Sequence, residues 1–134
     1  MITYFLSFVS GLLTLLVIDA VMIYFVILPT FKRYIPTYLN TDMNIPAAVL
    51  FYIFYILVLL FLVIIPGVEG KGVVTDIVMR SALFGFGAYM TYELTSMSVI
   101  KGWNWNMVLL DVTWGTILTA IIGFVMFQVY KYFM

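Results

Sequence analysis

The chain has 134 residues, of which 66% are hydrophobic and only 9% charged, whereas a soluble domain carries roughly a quarter charged residues. So little charge cannot coat a water-facing surface, and the natural solvent of this chain is the bilayer. Six Lys and Arg balance six Asp and Glu, and Cys and His are absent, which excludes disulfides, thiolate and His-dependent triads, and ordinary zinc sites.

The first apolar run predicts a membrane span over residues 2–28, with Asp19 as its only charge. No Lys or Arg precedes the run, and no small-residue cleavage site follows it, so it is expected to stay as a span rather than leave as a signal peptide. Pro29 is expected to end it, because proline lacks an N–H and disfavours helix at the residue before it. The loop that follows holds Lys32, Arg33 and several tyrosines, residue types that sit at headgroup level.

A second span is predicted over 47–65, stopped by Pro66 and Gly67, with Tyr52 and Tyr55 three apart on one face. A glycine-rich loop with Glu69, Lys71 and Asp76 reads as a water-exposed turn, and Thr75 or Asp76 offers a cap to the next helix. The third span is predicted over 77–100, with Arg80 near its start and Glu93 deep inside. Lys101 to Trp105 then reverse the chain, and so short a turn makes spans three and four antiparallel neighbours. The fourth span is predicted over 106–130 and contains Asp111. The expectation is a single all-α domain over 1–134: four transmembrane helices in an antiparallel bundle with both termini on one side. Lys and Arg divide three against three between the two faces, so charge bias leaves the orientation open.

At about 1.5 Å of rise per residue, Asp19, Glu93 and Asp111 lie roughly 13, 10 and 8 Å below the same surface. Tyr52 and Tyr55 reach about 8 and 12 Å from that side. Tyr89, Tyr92 and Thr95 of span three and Trp114 of span four fall in the same half of the bilayer. These nine residues form the expected ligand- or proton-binding cluster. A carboxylate deep in a span costs at least about 2.5–3.5 kcal/mol and should face the protein interior or a wet cavity. No Lys or Arg lies inside a span to balance it, so one or more of the acids is expected to carry a proton, and close carboxyls to titrate together. The plainer reading is that each acid is a protonated hydrogen-bond donor fixing helix packing, and it weighs most for Asp111, nearest the interface.

Other polar and small residues read as structural. Trp103 and Trp105 are expected to be interfacial anchors. Gly115, Thr119 and Gly123 form a small-residue row on span four, and Ser81 and Gly85 another on span three, both suited to close helix contact.

The stretch AYMTYELTSMSVIKGWNWNMVLLDVTWG resembles the signature of the bacterial membrane family called domain of unknown function 2177, close to AYxTYDLTNxxxxKGW followed by DxxWG. The matching positions are Ala88, Tyr89, Thr91, Tyr92, Leu94, Thr95, Lys101, Gly102, Trp103, Asp111, Trp114 and Gly115. Asp19, the run Pro46-Ala47-Ala48, Phe51, Tyr52 and Tyr55 also fit, so nearly the whole chain is covered. Glu93 stands where the family usually has Asp, and Ser96 where it usually has Asn. The resemblance implies a four-helix, multi-pass protein of the bacterial inner membrane.

Three functions are compatible with these residues. The first is a small carrier or binding protein whose acids hold a proton, a cation or an amphipathic molecule. Few helices enclose a pathway alone, so this reading expects a homo-oligomer, a dimer before others. The second is a lipid-modifying enzyme or its membrane partner, with the acids as acid–base groups. The third is a structural scaffold. Membrane lipids are the expected partners and nucleic acid is not, since the basic residues are scattered rather than patched. No cofactor and no resident metal are expected.

Overall fold

The computed structural model describes residues 1–35, 44–70 and 72–134, and all its regular structure is helical. Four long helices follow one another: α1 (Ile2–Tyr34), α2 (Ile45–Glu69), α3 (Val74–Val99) and α4 (Trp105–Phe133). By length and composition α1, α2 and α4 are able to cross a membrane. Helix α3 has 26 residues, about 39 Å at the usual rise. It is long enough but more polar than the others, because it carries the Tyr92–Ser96 stretch as well as Asp76 and Arg80.

Neither proline ends its helix, contrary to expectation. Before Pro29 the chain widens into a π-helical turn over Ile23–Ile27, and Leu28 N–H bonds five residues back to the Ile23 carbonyl. Before Pro66 the same device occupies Leu60–Ile64, and Ile65 N–H bonds back to Leu60. The proline ring collides with the carbonyl four residues earlier in a regular helix. A wider turn moves that carbonyl aside, so the helix continues instead of breaking. Helix α1 therefore runs six residues past the expected end, and α2 runs to Glu69.

Caps set the other boundaries. The Asn44 side chain accepts from Ala47 N–H at the start of α2 (3.2 Å), with Pro46 in the first turn. Asn104 accepts from the N–H groups of Asn106 and Met107 at the start of α4. Both serve donors that lack an intrahelical partner. No side chain caps α3, so the expected cap from Thr75 or Asp76 does not form. Asp76 lies inside the first turn and pairs with Arg80 (3.1 Å). Of the first loop, expected in part at headgroup level, residues 29–34 with Lys32 and Arg33 continue α1 instead, and 36–43 lie outside the described residues, as does Lys71 of the second loop.

Helix α4 is the centre of the bundle. It packs most extensively on α3, then on α1, while α2 lies against α1 and touches α3 and α4 through Leu60–Ile64. The two ends of the chain meet: Tyr4 stacks on Tyr130 (5.1 Å between centroids), and Ser7 Oγ donates to the Met126 carbonyl (2.9 Å). Lipid is as apolar as Leu, so helices associate here through close van der Waals packing rather than by expelling water. Small residues provide it. A Cβ at Gly85 would meet Thr119 and the Gly115 carbonyl, one at Gly115 would enter the Tyr89 ring, and one at Gly123 would meet Ser81. Large apolar side chains such as Phe5, Phe25, Phe54, Phe61 and Leu83 point outward, a surface suited to acyl chains and not to water.

Two buried clusters result. The larger is built on Leu15, Ile56, Leu59, Ile64, Ile77, Leu118, Ile122 and Met126. The smaller gathers Phe31 and Ile35 of the post-proline segment onto Trp103, Met107, Val108 and Val112. Along α1 the acid Asp19 falls between the two clusters, whereas Glu93 and Asp111 lie among the residues of the smaller one.

Candidate functional site

The chain turns from α3 to α4 through Gly102, whose φ of +92° is a left-handed conformation that favours glycine. This turn aims Trp103 inward. Its Nε1 donates to Glu93 Oε1 (2.9 Å), and its ring meets the edges of Phe31 (5.2 Å) and Tyr92 (6.0 Å). Trp103 is thus the buried partner of a buried acid, which corrects the expectation of an interfacial anchor; Trp105, exposed, keeps the outward position. The signal that could have found it was position: Gly102 permits a sharp turn, and an acid lies ten residues back.

Glu93 is fully buried, with its second oxygen, Oε2, lacking a hydrogen-bond partner among the described residues. The Asp111 carboxyl, from α4, lies within hydrogen-bonding reach of Glu93. Asp19 forms a second station. Its Oδ2 accepts from Tyr52 OH and its Oδ1 from Trp114 Nε1, each at 3.1 Å. Three helices therefore meet at Asp19.

Tyr89 lies between the stations, its ring seated on Gly115. Its hydroxyl has no hydrogen-bond partner among the described residues. Tyr55 exchanges a short hydrogen bond with Thr119 (2.6 Å), and Thr119 in turn donates to the Gly115 carbonyl. Thr119 thus serves both the small-residue row and the polar cluster. Thr95 is not brought to the cluster. It is exposed, and its carbonyl accepts from Ser98. The α3 residue that turns inward beside it is Ser96, which is buried.

A cavity of about 420 Å³ opens beside these groups. Asp19, Asp111, Tyr55, Tyr89 and Tyr92 give it a polar side, and Ile23, Ile27, Phe31 and Phe51 an apolar one. Phe51 and Tyr92 are exposed and stand at its mouth. Glu93 lies behind Asp111 rather than on the wall. Among the described residues no basic side chain pairs with any of the three acids; the ion pair present, Arg80 with Asp76, is exposed near the start of α3. Nor do three acids converge on one point as metal ligands among those residues.

The geometry at Asp19 separates two substitutions. Asn can point its oxygen at Trp114, which only donates, and its amide at the Tyr52 hydroxyl, which can turn to accept. Asp19→Asn is therefore expected to cost under about 1 kcal/mol, whereas Asp19→Leu orphans two donors and should cost about 3 kcal/mol. Reversible unfolding in mixed micelles measures both, and equal losses would refute the two-donor account.

A family model described as "Predicted membrane protein (DUF2177)" matches residues 4–128 of the chain. Comparison with curated proteins and with solved structures returns no match.

Proposed function

Since the chain belongs to the predicted membrane protein family DUF2177, we propose that it is an intramembrane binding protein or carrier for small amphipathic cations, working in the bacterial inner membrane. The observation that carries this reading is the cavity itself: two carboxyls without a basic partner stand on one wall, and apolar side chains form the other. Buried charge needs a counter-charge, and an entering cation is one. Tyr89, Tyr92, Phe31 and Phe51 add aromatic faces that attract cations once water is excluded. The apolar wall accepts the rest of such a molecule.

The test uses the full protein in nanodiscs and benzyltriethylammonium, a permanently charged apolar cation. It is expected to bind, and to lose about tenfold or more in affinity, roughly 1.4 kcal/mol, in Asp111→Asn. A neutral analogue of the same shape is expected to bind weakly. Equal binding of the neutral and charged compounds, or none of either, rejects the reading.

A further inference from the structure

Behind the cavity wall stands a pair of acids whose arrangement the binding of a cation does not by itself explain. Glu93 is fully buried, and Trp103 holds only one of its oxygens. The other oxygen is buried and has no partner among the described residues, yet the Asp111 carboxyl is within hydrogen-bonding reach. Two ionised carboxylates are acceptors only and have no hydrogen to share. Side by side in an apolar interior they repel, and nothing basic among the described residues relieves them. One proton changes both facts. It turns a repulsive contact into a charge-assisted hydrogen bond and removes one of two buried charges.

We infer that Glu93 and Asp111 form a proton-binding site, holding one proton between them and releasing it when a cation occupies the cavity. The second half of this inference rests on the function proposed above. Asp111 links the two events, since it faces Glu93 on one side and the cavity on the other. A cation against Asp111 supplies the compensation that the proton supplied before, so the two positive charges compete for one site. Net charge in the interior is then the same before and after exchange. The other titratable groups facing this region are Asp19 from α1, Tyr55 from α2, and Tyr89 and Tyr92 from α3; none of them brings a positive charge.

Linkage fixes the sign. If a bound cation displaces one proton, its affinity must rise with pH, by up to about tenfold per pH unit while the pair is protonated, and flatten above that range. Glu93→Gln is the informative variant. The Gln oxygen can keep the Trp103 hydrogen bond, and its amide can donate permanently to Asp111, so the exchangeable proton is gone. The pH slope of cation affinity should then fall close to zero. A residue that only supported packing would not move that slope.

The experiment is titration of the full protein in nanodiscs with benzyltriethylammonium, read by calorimetry in buffers of different protonation enthalpy. It is paired with infrared spectra of the cation-free protein in H₂O and D₂O. The expected result is release of about one proton per cation bound, abolished in Glu93→Gln, and a protonated-carboxyl band that disappears in both Glu93→Gln and Asp111→Asn. Cation binding with no proton release overturns the exchange while leaving the binding reading intact. Absence of cation binding removes the binding reading and the exchange with it. The infrared band then decides the pair alone: its loss in both variants upholds the shared proton, and its absence from the native protein overturns it.

Discussion

Gly85→Val is expected to destroy the stable bundle, with a loss of about 3 kcal/mol or more and a shift to aggregated or unfolded material on size exclusion. A Cβ at position 85 would meet the Gly115 carbonyl at 2.6 Å as well as the Thr119 side chain. A side chain can rotate away; a helix backbone cannot. Helix α3 would have to withdraw from α4, and that contact is the most extensive in the molecule. Thr119, which the new side chain would press on, also holds Tyr55 of α2, so its displacement would disturb that hydrogen bond as well. Two residues along the same helix, a Cβ at Gly87 meets nothing within 4 Å. Gly87→Val is therefore expected to change stability by no more than about 0.5 kcal/mol. Similar losses at both positions would show that helix propensity, not interhelical distance, governs these glycines.

Trp103→Ala is expected to cost about 3–5 kcal/mol, the usual range for deleting a buried aromatic ring. It removes the side chain on which Phe31 and Tyr92 rest, and leaves Glu93 Oε1 without its donor. Trp103→Phe separates these contributions. It keeps a ring in the smaller cluster and loses only Nε1–H, so about 1.5–3 kcal/mol should be lost, the range for a hydrogen bond to a charged group. Because the bond joins Trp103 to Glu93, the double variant Trp103→Phe, Glu93→Leu, which removes donor and acceptor together, should lose less than the sum of the single losses. An exposed interfacial indole would behave otherwise: both Trp103 variants would stay within about 1 kcal/mol of the native protein, with full additivity.

The acids show how much of the site was legible in the sequence. Asp19, Glu93 and Asp111 declare themselves because a charge in an apolar run has few places to go, and depth along a helix follows from counting residues. Direction around a helix does not follow so easily. In a run that is apolar on every side, the pattern that tells inside from outside is faint, so Thr95 could not be told from Ser96, although only Ser96 is buried. Trp103 misled for a related reason. Tryptophan near a span end usually marks the interface, and only the turn at Gly102 decides that this ring points inward. The four helices were legible as apolar stretches. Their ends at Pro29 and Pro66 were not, since the rule that proline stops a helix assumes a regular turn before it.

Those widened turns also govern phase. The inward residues of α1 recur at every fourth position: Ser7, Gly11, Leu15 and Asp19 are buried, Ile23 and Ile27 line the cavity, and Phe31 and Ile35 are buried again. In a regular helix of 3.6 residues per turn, a step of four overshoots by about 40° each time. Over seven steps a stripe so spaced would wind most of the way round the rod. A π-helical turn takes more residues to complete one revolution, so it rotates the chain back against that drift. Helix α2 follows the same rule, with buried neighbours at Tyr55 and Ile56, Leu59 and Leu60, and Val63 and Ile64 carried through its own wide turn. Each wide turn thus acts as a phase corrector, keeping a four-residue repeat on one side of a long rod. Deleting one residue from Ile23–Ile27 should restore ordinary winding and leave Phe31 and Ile35 still facing Trp103, because an ordinary turn covers the same rotation with one residue fewer.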